Sequence, residues 1–126
     1  MRKLLVLAAA LEATTGLGLI ICPSLVVRAL LGVDADGRGG ALGRVGGCAL
    51  LSLGMACWPG PKRAEGKNII QAVRAMFTYN LLITICLVYF RVGEGFAGLL
   101  LWPVVVVHSV LTFLFARALF EGSTRT

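Results

Sequence analysis

The chain has 126 residues, of which 58% are hydrophobic and only 14% charged, and its mean hydropathy is +0.89. A soluble domain is about 45–50% apolar and about 25% charged, so this composition belongs to a membrane protein, with room for one domain and no extramembrane one. The net charge of +6 is carried at the ends of apolar runs, where phospholipid headgroups lie, which argues against nucleic acid as the partner.

The first apolar run, Leu4 to Ile21, follows the basic start Met1-Arg2-Lys3 and carries one carboxylate, Glu12, at its middle. Eighteen residues at about 1.5 Å each reach roughly 27 Å, close to the hydrocarbon thickness of a bilayer. The run is too long for the apolar core of a signal peptide and contains an acid, so it is expected to be a retained helix. Leu19-Ile20-Ile21-Cys22 lacks the small residue a lipoprotein cleavage box needs before its cysteine. Pro23 then breaks the pattern and starts a short amphipathic helix, Ser24 to Leu31, expected at the interface with Arg28 reaching headgroups. Val33 to Gly40 reads as a loop, and its Asp34-x-Asp36-Gly37 lacks the other ligands of a calcium loop.

A second span is expected over about Ala41–Trp58. Gly43-x-x-x-Gly47, with Gly54 further on, has the small-residue spacing that lets membrane helices approach closely. Trp58-Pro59-Gly60-Pro61 ends it, and Lys62, Arg63, Glu65 and Lys67 form a short basic loop. The third span, about Ile69–Phe90, carries Arg74 near its start and Tyr79-Asn80 near its middle. After a link at Val92 to Gly95, the fourth covers about Phe96–Ala118, with Trp102-Pro103 predicting a kink and His108 in its middle. The fold class is thus all-α, a polytopic membrane protein whose four transmembrane helices (about 4–22, 41–58, 69–90 and 96–118) form an antiparallel bundle, with a short interfacial helix after the first. The amino terminus, second loop, Arg74 and carboxyl tail hold Arg2, Lys3, Lys62, Arg63, Lys67, Arg74, Arg117 and Arg125; the other side holds Arg28, Arg38, Arg44 and Arg91. This bias predicts an inner (plasma) membrane protein with both termini cytoplasmic.

At about 1.5 Å per residue from the cytoplasmic helix ends, Glu12 lies roughly 12 Å deep, Arg74 roughly 7 Å and His108 roughly 15 Å. A carboxylate at that depth needs an inward-facing partner. Glu12 has two candidates. Arg74 would make a structural clamp; His108, with Tyr79 or Asn80 as neighbours, would make a ligand or proton site. The four cysteines, Cys22, Cys48, Cys57 and Cys86, form no CxxC or Cys/His cluster, so no metal site and no dithiol motif is signalled, although Cys22 and Cys86 fall near one face. No cofactor is signalled either. No nucleophile–base pair, phosphate loop or paired catalytic carboxylates can be read, so the expectation is a protein that is not an enzyme.

Pro23, then Leu30-Leu31-Gly32, then Gly43-Arg44-x-Gly46-Gly47 opening a glycine-rich second span, resemble the small four-helix bacterial membrane proteins of the DoxX-like kind. Some of these are named for association with quinone-linked oxidoreductases, but no residue here carries such an activity across. Glu12 in a first span also resembles the small multidrug resistance transporters, whose aromatic-rich second span and third-span glycine pattern are not matched. The function expected is an accessory or assembly subunit of a membrane complex, or a binder of a hydrophobic ligand such as quinone or lipid. Its partners would be membrane lipids and other membrane subunits or a second copy of itself. The alternative is a small proton-coupled transporter using Glu12.

Overall fold

The computed structural model describes residues 1–60 and 67–123, and among them it contains five helices. These are α1 (Arg2–Ile21), α2 (Pro23–Leu31), α3 (Gly37–Ala56), α4 (Lys67–Val92) and α5 (Leu101–Ser123). The fold is all-α. Three helices are long and apolar enough to cross a membrane: Arg2–Ile21, Asn68–Val92 and Leu101–Glu121. The expected second span is also a helix of 20 residues, but glycines and the two arginines Arg38 and Arg44 leave it less apolar than the other three.

Helix boundaries follow local chemistry. Pro23 occupies the first turn of α2, where its missing N–H costs nothing. α3 begins at Gly37, inside the expected loop, because the Asp36 side chain accepts the Gly39 N–H at 2.8 Å and caps the first turn. The fourth apolar stretch becomes helical only at Leu101 rather than Phe96. Residues 96–100 instead run as a strap across the end of α2. There the Ala97 N–H donates to the Leu31 carbonyl at 3.2 Å and the Leu100 N–H to that of Ala29 at 2.8 Å, satisfying carbonyls that a helix end leaves open. Gly98 lies against the Leu30 backbone, where a Cβ would collide. The late start also removes the expected kink: Pro103 falls in the first turn of α5, among N–H positions with no intrahelical acceptor. The basic stretch Lys62 to Gly66 and the end of the tail, Thr124 to Thr126, lie outside the described residues.

α1 is the helix that touches all the others, and its tightest contact is with α3. A Cβ on Gly16 would stand 2.7 Å from the Gly47 carbonyl oxygen, one on Gly47 2.7 Å from that of Gly16, and one on Gly54 2.7 Å from that of Ala9. The two backbones are therefore in direct contact along a seam, with positions increasing on α1 as they decrease on α3. α1 buries a stripe of Leu5, Ala8, Ala9, Glu12 and Gly16, which meets the seam at Ala9 and Gly16 and has the spacing that keeps residues on one helical face. One core joins Leu5, Ala8 and Ala9 to Cys57, Val73, Met76, Leu111 and Phe115. A second, smaller core joins Leu87, Leu101 and Val105 to Leu30, Leu31, Phe90 and Phe96 under the strap. α2 lies at the rim, with Leu25 and an Arg28–Asp34 pair at 3.7 Å exposed.

The seam leaves no room for side chains at its glycines, whereas a Cβ on Gly46, one position away, would meet nothing within 4 Å. Gly47→Leu is expected to lower stability by about 1–3 kcal/mol or to prevent folding, while Gly46→Leu is neutral. Thermal unfolding in mild detergent reads the difference, and equal melting of the two variants would contradict the seam.

Candidate functional site

Glu12 stands in the middle of the otherwise apolar stripe on α1, only 2% exposed. α4 places Asn80 and Tyr79 beside it, because Asn80 continues the buried series Val73, Met76 and Asn80 down one face. α5 supplies His108, whose side chain is 13% exposed. The four residues form one polar cluster from three helices. The Tyr79 side chain lies beside the Glu12 carboxyl group and meets the His108 ring edge-on, with centroids 5.9 Å apart. His108 Nδ1 lies 2.7 Å from Asn80 Oδ1 and 4.0 Å from Glu12 Oε1. Glu12 Oε1 is shut off from the surface and has no hydrogen-bond partner.

The proton positions in this cluster follow from its connections. Asn80 Nδ2 donates to the Met76 carbonyl at 2.8 Å, so Oδ1 is the atom turned toward His108 and can only accept. The imidazole therefore carries a proton on Nδ1, and in its neutral form Nε2 is the bare nitrogen. Neighbouring hydroxyls do not join in. Thr84, Ser109 and Thr112 donate to carbonyls one turn back on their own helices, at 2.7, 2.8 and 2.7 Å.

Arg74 is exposed and makes no pair with Glu12. It is next to buried Val73 and on the other side of the helix from buried Met76, a consequence of the roughly 100° between successive residues. The nitrogen facing Glu12 Oε1 among the described residues is instead His108 Nδ1, at 4.0 Å. Gly47 and Gly54 lie in the α1–α3 seam, and Gly43 packs on Pro23, whose Cβ would be 3.1 Å from an added one. Cys22, Cys48, Cys57 and Cys86 are all free thiols, so Cys22 and Cys86 are not bridged. Among the described residues no group of three or more His, Cys, Asp or Glu could hold a metal.

A second feature had no direct mark in the sequence. A cavity of about 480 Å³ opens between the start of α1, the end of α3 and the start of α4. Leu5, Leu53, Cys57 and Ile69 line it, with Trp58, Asn68 and Gln71 also on its wall. It lies one end of the apolar core away from the polar cluster, Leu5 being about 10 Å along α1 from Glu12. Trp58 beside Pro59 and Gly60 was the available signal, since helix breakers mark where α3 ends and the cavity opens.

Comparisons with protein-family models, with curated proteins and with solved structures find nothing that matches this chain.

The hydrogen-bond directions above predict an unusual histidine. The chain contains a single His, so ¹⁵N-imidazole NMR reads His108 without assignment. The neutral ring should show a protonated Nδ1 and a bare Nε2, and Asn80→Leu should move the proton to Nε2. A wild-type ring protonated at Nε2 when neutral would contradict the Asn80 bond.

Proposed function

We propose that this chain is an integral inner-membrane protein, not an enzyme, that binds a hydrophobic ligand such as quinone or lipid in the cavity between α1, α3 and α4. It does so alone or as an accessory or assembly subunit of a membrane complex. The observation that carries this reading is the cavity itself. At about 480 Å³ it has the size of a small-molecule site. Its walls are mainly apolar, and Asn68, Gln71 and the Trp58 indole offer the few polar contacts that orient a ligand with one polar end.

In this reading α1, α3, α4 and α5 all cross the membrane as an antiparallel bundle. α3 is as long as α1 and lies along it in backbone contact, so a bilayer that holds one holds the other. The starts of α1 and α4 share a core with the ends of α3 and α5, as alternating spans require. The positive charge bias puts that end, and both termini, in the cytoplasm. Kinship with the DoxX-like group fits the same plan, its support being Pro23 and the Gly43 to Gly47 pattern.

Two measurements test these statements. A short-chain quinone and a spin-labelled phospholipid, titrated separately onto detergent-solubilised protein, should reveal one saturable site for one of them. Ala72→Trp, which fills the cavity from α4, should weaken it by about tenfold or more, a loss of about 1.4 kcal/mol. Undiminished binding in that variant would remove the cavity from the reading. For topology, single-cysteine variants at Asp34 and Gly60 are labelled in intact cells with a membrane-impermeant thiol reagent. Asp34→Cys should react from outside and Gly60→Cys should be protected; the opposite pattern reverses the orientation.

A further inference from the structure

The polar cluster around Glu12 is separate from the cavity, and nothing in ligand binding there uses it. Its geometry has three parts. Glu12 Oε1 is a buried acceptor with no donor. The nearest nitrogen is His108 Nδ1 at 4.0 Å, whose proton is engaged by Asn80 Oδ1. The other ring nitrogen, Nε2, makes no hydrogen bond among the described residues, and the His108 side chain is 13% exposed.

A buried acceptor beside a partly exposed ring that can carry a proton on either nitrogen makes a site for one proton. We propose that His108 relays a proton between its Nε2 edge and the Glu12 carboxyl group, making Glu12, Tyr79, Asn80 and His108 a one-proton binding site within the helix layer. The step balances as follows. A hydronium ion that reaches the ring gives its proton to the Nε2 lone pair, leaving a water molecule and an imidazolium. The Nδ1–H bond then breaks, and an O–H bond forms at Glu12 Oε1. His108 is left neutral with its proton on Nε2, and Glu12 becomes an uncharged acid. Closing the 4.0 Å gap to hydrogen-bond range takes a movement of about 1 Å.

Asn80 sets the resting state. After transfer its Oδ1 faces a bare Nδ1, two acceptors opposed, so reversal restores the Asn80 bond. Tyr79 lies beside the carboxyl group and takes no part in the transfer. Among the described residues no other titrating group intrudes: α4 supplies Tyr79, with Arg74 exposed, and α5 supplies His108. α3 presents Gly47, Leu51 and Gly54 to α1, none of which ionises.

The test is infrared spectroscopy of the full chain in lipid nanodiscs after a rapid rise in pH. A carboxylic-acid C=O band that is missing in Glu12→Gln identifies protonated Glu12, and its decay times proton release. His108→Phe should slow that decay on the order of a hundredfold, the usual weight of a positioned proton carrier. An unchanged decay, or no Glu12-dependent acid band at any pH, overturns the relay. Should His108→Phe fail to fold, the wild-type protein decides. ¹⁵N-imidazole signals and the Glu12 band that change together with pH support the proposal, and independent midpoints sink it.

Discussion

Everything in this fold depends on the approach of α1 and α3 to backbone contact. In a bilayer, lipid tails are as apolar as leucine, so helices gain little by burying apolar side chains against each other. Close packing of small residues supplies the attraction instead. Gly16, Gly47 and Gly54 permit it here, each leaving a space that a methyl group would overfill. With α3 held along one side, α1 turns its buried stripe toward α4 and α5, and that stripe contains Glu12.

The cluster around Glu12 shows how a membrane helix carries an acid without a full counter-charge. A buried pair with arginine would hold a fixed charge that is costly to break. Here the neighbours are a phenol and an imidazole, groups that accommodate the carboxyl group in either protonation state. Asn80 is spent on the His108 ring and the Met76 carbonyl, so one carboxyl oxygen goes without a bond. Leaving that acceptor unsatisfied costs about 1–3 kcal/mol.

Depth along a helix can be counted from the sequence; direction around it cannot until the buried stripe is known. Counting put Glu12 and His108 at similar levels, and the structure has them 4.0 Å apart. The same counting put Arg74 within reach, but its position next to Val73 turns it outward. Proline shows a related ambiguity. Pro103 predicts a kink only if the helix has already begun, and here the bonds from Ala97 and Leu100 to α2 delay its start to Leu101. Those bonds join residues some seventy positions apart, which no local pattern announces. The three apolar helices were legible from hydropathy alone, whereas the cavity depends on how far the end of α3 stands from the start of α4.

The strap between α4 and α5 has a mechanical consequence. By hydrogen-bonding the carbonyls of Ala29 and Leu31, residues 96–100 fasten the start of α5 to the carboxyl end of α2. No comparable tie among the described residues joins α3 to α4 at the other end, where the cavity lies. The strap thus couples the start of α5 to the end of α2, so those two helix ends must move together.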